Sequence, residues 1–310
     1  MVTSRRRFLS AAGTIALAGC TAPKQQDQQH PGKDYVSLQT EPSLETLKRK
    51  KKPTIDLFIV GGQSNAVGKG NRSNSPNLSA ETAIKIDPRA SGDARLKPLR
   101  DPIRMLGQKS STGSAWPSFA KTYTTLTDRH VAIIGAAKGG TAQHADADLG
   151  YGNWDTGGLT NALIDRTGIA LDALQDSGFR PQIQGVLWHQ GERDAQAINN
   201  GKISQEDYLT ALQTMVKTLQ SRLGSHMPFW LFQVGKPASD SNISATGFQK
   251  VASAQAQAAN DDSEIYLAST RQQKYSNAGL QTDSLHYNQF ALNIMGRVGA
   301  ITVTSVLHDN

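Results

Sequence analysis

The stretch Ile55-Asp56-Leu57-Phe58-Ile59-Val60-Gly61-Gly62-Gln63-Ser64-Asn65 decides how the chain is read. A short buried run that ends in two glycines and a polar turn is the profile of a strand covered on both faces. Such strands belong to parallel sheets, whose connections are helices. Similar runs follow at Val131 to Gly135, Gln184 to Trp188, Phe229 to Val234 and Ile265 to Leu267. Helical patterns fall between them, at Trp116 to Leu126, Leu159 to Ser177, Gln205 to Leu223 and Thr246 to Asn260, with Asn288 to Leu307 closing the chain. Pro117 suits the first turn of its helix. Alternating strands and helices predict an α/β domain, a mainly parallel sheet with helices on both faces. In such sheets chemistry gathers at the carboxyl ends of the strands. Polar residues just after each run are therefore the ones to inspect.

Upstream of this domain the sequence has a different character. Arg5, Arg6 and Arg7 precede Phe8 and Leu9, and the stretch Ser10 to Ala18 is apolar and built of small residues. A charged start, a short apolar segment and a small-residue processing site make a secretion signal. The apolar segment is far short of the roughly 20 residues that span a bilayer. The paired arginines resemble the twin-arginine signal, and Leu17-Ala18-Gly19-Cys20 resembles the lipobox of bacterial lipoproteins. Cys20 is the single cysteine, so no internal disulfide can form, and lipidation at Cys20 is the expectation. Thr21 after it favours the outer membrane. Residues 21–53 are rich in Gln, Lys and Pro and are read as a flexible tether. The predicted organisation is thus a leader over 1–19, a tether over 20–53 and one catalytic domain over 54–310, exported and anchored to a membrane.

Charge does not point to nucleic acid. The net charge is +7, and removing the three leader arginines leaves +4. The run Lys48 to Lys52 lies in the tether, so no basic patch is expected on a folded face.

Four polar clusters stand where the strands end. In the first, Gly61-Gly62-Gln63-Ser64-Asn65, glycines permit a tight turn that raises Ser64 to the sheet edge, where backbone N–H groups can face an oxyanion. It is not the Gly-x-Ser-x-Gly elbow, because position 66 is alanine. In the second, Lys138-Gly139-Gly140-Thr141, the glycines can bring an N–H close to a substrate oxygen; the spacing of a phosphate-binding P-loop is absent. The third is Trp188-His189-Gln190-Gly191-Glu192-Arg193-Asp194. A metal site on His189, Glu192 and Asp194 lacks the usual spacing of zinc ligands, whereas the Gln190 amide suits an oxyanion donor. In the fourth, Asp283-Ser284-Leu285-His286, an aspartate three residues before a histidine can fix its tautomer, and the pair is expected to open the last helix.

Together, Gly62-Gln63-Ser64-Asn65, Gly139-Gly140-Thr141, Trp188-His189-Gln190-Gly191-Glu192 and Asp283-x-x-His286 resemble the sialate O-acetylesterase and carbohydrate esterase family 6 group of the SGNH-hydrolase superfamily. The resemblance runs from about Ile55 to the C-terminus. It implies a flavodoxin-like three-layer α/β/α sandwich and removal of O-acetyl groups from sugars, with no metal or organic cofactor. By position it makes Ser64 the nucleophile, His286 the base and Asp283 its orienting acid. It places the oxyanion hole at Ser64, Gly140 and Gln190, with Asn65, Gly139, His189 and Glu192 around the pocket. Glu192 is the alternative partner for the histidine. Two positions depart from the family pattern: Ala66 where methionine is common, and Arg193 where serine or threonine is common. The sugar is left open among sialic acid, xylan, pectin fragments and cell-wall glycans. Two other readings stay in view: a lipase-like or thioesterase enzyme on the same scaffold, and a catalytically silent carbohydrate-binding lipoprotein.

Overall fold

The computed structural model describes residues 52–107 and 112–308. The expected leader, Cys20 and the tether as far as residue 51 lie outside the described residues.

The run that opened the reading is strand β1 (Thr54–Gly62), and it is central in a seven-stranded sheet. The other strands are β2 (Ala83–Pro88), β3 (Ala94–Pro98), β4 (Val131–Gly135), β5 (Arg180–His189), β6 (Phe229–Phe232) and β7 (Ile265–Ser269). Their spatial order is β3-β2-β4-β1-β5-β6-β7. Every neighbouring pair is parallel except β2 with β3. The helices are a single turn α1 (Ser64–Val67), then α2 (Trp116–Thr127), α3 (Gly158–Asp176), α4 (Glu192–Asn199), α5 (Gln205–Leu223), α6 (Thr246–Asp261) and α7 (Gln289–His308).

Side chains on a strand alternate between faces, and β1 shows why this sheet is buried on both. Ile55, Leu57 and Ile59 enter a core shared with Leu163 of α3, Leu212 of α5 and Val251 of α6. Phe58 and Val60 enter a second core with Trp116 and Phe119 of α2 and Leu292 and Met295 of α7. The result is the expected three-layer α/β/α sandwich. Two glycines let α7 lie close: a Cβ at Gly296 would stand 2.1 Å from the Ala115 carbonyl oxygen, and one at Gly299 would stand 2.3 Å from the Phe232 ring.

Asp56 is the charged member of β1 and is fully buried. It is held by an ion pair with Arg129, a 2.9 Å bond from the Tyr123 hydroxyl and a 2.9 Å bond from the Gln184 amide. Buried charge is tolerated when paired and hydrogen-bonded in this way.

Three features depart from the sequence reading. The antiparallel hairpin β2–β3 forms one edge of the sheet; its β3 residues alternate between half-buried and exposed, so no apolar run marks it. The residues after Gly191 form helix α4, which was not among the helices read from the sequence. The last helix begins at Gln289, so Asp283 and His286 sit in the loop before it. The helix N-terminus is marked by Asn288, whose side-chain oxygen accepts from the Ala291 N–H.

Candidate active site

The chain leaves β4 on one side of β1 and returns as β5 on the other. A crevice opens at such a reversal, at the carboxyl ends of the strands. Three of the four polar clusters converge there. Gly62 makes the turn possible: its φ is +112°, and a Cβ would fall 2.0 Å from the His189 carbonyl oxygen. The Gln63 N–H donates to that same oxygen at 2.9 Å, and the Gly62 oxygen accepts from the Lys138 N–H at 3.0 Å. All three loops are thereby stitched together by main chain. Ser64, 9% exposed, begins the α1 turn.

The fourth cluster arrives from the loop before α7. His286 Nδ1 donates to Asp283 Oδ2 at 2.7 Å, and His286 Nε2 lies 3.0 Å from Ser64 Oγ. With Nδ1–H given to the carboxylate, Nε2 is left to accept the serine proton. The second carboxylate oxygen, Oδ1, accepts from the Leu285 and His286 N–H groups, both at 2.8 Å. Asp283 thus shapes the loop and orients the ring together. Partial burial pushes its carboxyl up, but the His286 bond and the two N–H donors outweigh this and hold it below the usual carboxylate range.

Asn65, fully buried, ties this loop to the strand ends. Its Nδ2 donates to Glu192 Oε1 at 2.7 Å and to the Leu285 carbonyl oxygen at 3.1 Å, while its Oδ1 accepts from the Tyr287 N–H at 3.1 Å. The last two bonds grip the chain on either side of His286. Glu192 is therefore not the partner of His286. Its Oε1 faces His189 Nε2 at 3.4 Å, and His189 Nδ1 donates to the Phe232 carbonyl oxygen at 2.7 Å. Burial pushes the Glu192 carboxyl up; the His189 charge and the Asn65 amide overcome that and keep it low. Its position in the first turn of α4 also favours the anion.

Gln190 is fully buried, and its Nε2 donates to Asp194, with a longer 3.5 Å contact to the Thr141 carbonyl oxygen. Asp194 also accepts from the Gln143 N–H, at 3.0 and 2.9 Å on its two oxygens, and from the His144 N–H at 2.9 Å. His189 and Glu192 thus face each other, while Asp194 is held by Gln190, Gln143 and His144. Among the described residues no group of three or more His, Cys, Asp or Glu side chains is placed to hold a metal.

A family model described as carbohydrate esterase, sialic acid-specific acetylesterase, matches residues 54–304. The chain belongs to that family. It is accordingly a carbohydrate O-acetylesterase by membership. Among solved structures the esterase resembles a protein from Arabidopsis thaliana, 20% identical, with a TM-score of 0.62 over 82% of this chain and 99% of that one. It also resembles NanS, 16% identical, with a TM-score of 0.55 over 84% of this chain and 99% of NanS. A carbohydrate acetylesterase from Xanthomonas citri is 16% identical, with a TM-score of 0.52 over 82% of this chain and 57% of that one. At these identities the structures support the fold. No curated protein matches the esterase.

The esterase carries a cavity of about 310 Å³ over Ser64 and His286. Its walls include Gly139, Gly140 and Glu192, expected from the sequence, and Gln63, Lys69, Tyr151 and Gln196, which were not. Gln190 is fully buried and is not in the cavity wall. Gln63, the neighbour of Ser64, was within reach of the sequence reading; its buried Oε1 finds no partner. Tyr151 was not, because it arrives from a loop far from any strand end. Of the two departures from the family pattern, Arg193 reaches the cavity wall and Ala66 does not. The Ala66 carbonyl oxygen instead accepts from Trp116 Nε1 at 2.7 Å, which pins the α1 turn.

Proposed function

We propose that the esterase removes O-acetyl groups from acetylated carbohydrates by serine acyl transfer, with Ser64, His286 and Asp283 as its triad. The observation that carries this is the unbroken chain from Ser64 Oγ to His286 Nε2 at 3.0 Å and from His286 Nδ1 to Asp283 at 2.7 Å. His286 takes the Ser64 proton as Oγ attacks the acetyl carbonyl carbon. The tetrahedral anion meets the N–H groups of Ser64 and Gly140, for which the described residues supply no competing acceptor. The Gln190 amide is bound to Asp194, with its second contact to the Thr141 carbonyl oxygen at 3.5 Å. The imidazolium then protonates the departing sugar oxygen. Water repeats the cycle on the acetyl-enzyme and frees acetate.

The polar wall supports a sugar over a fatty acyl chain. Tyr151 and Leu285 are the large apolar side chains in it, too few for an extended acyl groove. Ser64→Ala and His286→Ala should each lower acetate release from p-nitrophenyl acetate by at least about 10³-fold. Full turnover in either variant overturns the assignment. Acetate release from a panel of acetylated glycans would name the sugar.

We further propose that residues 1–19 export the esterase and that Cys20 carries a lipid. The support is the Arg5-Arg6-Arg7 start and the Leu17 to Cys20 lipobox pattern. Palmitate labelling in a bacterial host should mark the full chain and not Cys20→Ser; equal labelling of both would refute the anchor.

A further inference from the structure

We infer that the esterase binds its substrate as a chain, with sugar units on both sides of the acetylated one; this rests on the acetylesterase reading above. The catalytic cavity is the middle of three adjoining hollows. On one side it shares Lys69 with an open hollow of about 410 Å³, whose walls include Asn71, Asn288 and Phe290. On the other it shares Arg193 and Gln196 with a hollow of about 50 Å³, whose walls include Leu149, Asn200 and Lys202. The two outer hollows share no wall residue with each other, so the three join into a trough through the cavity over Ser64.

The chemistry of the trough is that of carbohydrate recognition. Among the described residues five large hydrophobic side chains are exposed, and three of them stand along it: Phe290 at 64%, Tyr151 at 53% and Leu149 at 54%. The other two, Leu126 and Ile301, line none of the three hollows. The same outer hollows carry amides, Asn71 and Asn288 in one and Gln196 and Asn200 in the other, with Lys69, Arg193 and Lys202 beside them. A pyranose offers an apolar C–H face for an aromatic ring and a rim of hydroxyls for amides, and this combination matches both. A lipid would be matched by an unbroken apolar wall.

The loop that carries Leu149 and Tyr151 is set in advance. Asp148 Oδ1 accepts from the N–H groups of Gly150, Tyr151 and Gly152 at 3.0, 2.9 and 2.9 Å, and Oδ2 takes a second bond from Gly152 at 3.1 Å. Gly150 and Gly152 have φ of +90° and +98°, conformations that glycine adopts without strain. The loop therefore holds two apolar side chains at the surface, and a ligand need not order it on binding.

The test compares kcat/KM for acetate release from chemically acetylated xylo-, cello- and chito-oligosaccharides of one to six units, with p-nitrophenyl acetate as the small reference. In the wild type, kcat/KM on at least one series should rise about tenfold or more between one and four units. Phe290→Ala and Leu149→Ala should each lower the ratio of oligosaccharide to p-nitrophenyl acetate kcat/KM by about tenfold, the size of one lost apolar contact. Rates independent of chain length in every series that releases acetate would overturn the trough, and so would an unchanged ratio in both variants. Failure to hydrolyse p-nitrophenyl acetate would instead overturn the esterase reading. Hydrolysis of that ester with no acetate from any glycan would overturn the glycan assignment and the trough with it.

Discussion

Replacing Asn65 with alanine should cripple catalysis without touching any member of the triad. Asn65 donates to the Glu192 carboxylate at 2.7 Å and to the Leu285 carbonyl oxygen at 3.1 Å, and accepts from the Tyr287 N–H at 3.1 Å. A bond to a charged group contributes about 1.5–3 kcal/mol and a neutral one about 1 kcal/mol. Losing all three removes about 4 kcal/mol, of which water entering the vacated space would restore a part. Glu192 is left worse off than most carboxylates, because its Oε2 already lacks a partner. The Leu285 to Tyr287 segment loses both of its side-chain holds, and His286 is freed to drift from Ser64. A misplacement of about 1 Å at a reacting group costs about 10²-fold, so kcat on p-nitrophenyl acetate should fall by about that factor with KM little changed. Urea denaturation should show a loss of about 2–4 kcal/mol. Asn65→Asp should be worse, since a second carboxylate at 2.7 Å from Glu192 forces one of them to hold a proton. If Asn65→Ala keeps kcat within about threefold of wild type, the clamp does not position His286 and the reasoning fails.

Other outcomes follow from the same structure. Gly62→Ala places a Cβ 2.0 Å from the His189 carbonyl oxygen at a φ of +112°, so the strand ends must part. The variant should lose more than about 3 kcal/mol and most of its soluble yield, and a wild-type melting temperature would contradict the packing described. Asp194 and Glu192 should respond to pH in opposite directions. Burial pushes the Asp194 carboxyl from 3.8 up to about 6, against the pull of its N–H donors. Its contribution to stability is full below pH 3.8 and fades as pH rises through about 6, a swing of about 3 kcal/mol at about 1.4 kcal/mol per unit. Glu192 is held below its ordinary 4.5, so its contribution is present above that pH and is lost as pH falls further. Urea midpoints measured from about pH 2 to pH 7 should show Asp194→Asn removing the loss on the rising side and Glu192→Gln removing the acid one; parallel curves for both variants and wild type would refute the assignment.

Much of the layered fold was legible because burial on both faces leaves an apolar run bounded by glycine, and helices between sheet and solvent leave a periodic one. The helix from Gln205 to Leu223 stands where its periodicity put it, and β4 spans Val131 to Gly135 as read. The hairpin of Ala83–Pro88 and Ala94–Pro98 left no such trace, since an edge strand carries Arg95 and Lys97 without cost. Helix α4 was hidden for a related reason. It is short and polar, and Glu192 was read as a pocket residue when it and Asp194 are also first-turn residues favoured by the helix dipole.

By itself the sequence determined which groups were available: a serine after a glycine turn, a histidine with an aspartate three residues away, and glycines where backbones meet. Those are local properties, readable from strand ends and turn chemistry. Only the tertiary structure decided their employment. It brought His286 to Ser64 across 222 positions of chain and gave it Asp283 rather than Glu192 as its partner. It spent Glu192 on Asn65 and His189, and it turned the Gln190 amide toward Asp194. The physical reason is competition. Several carboxylates and amides could serve each donor and acceptor, and which pairs form depends on distances of a few tenths of an ångström, which only the packed sheet sets.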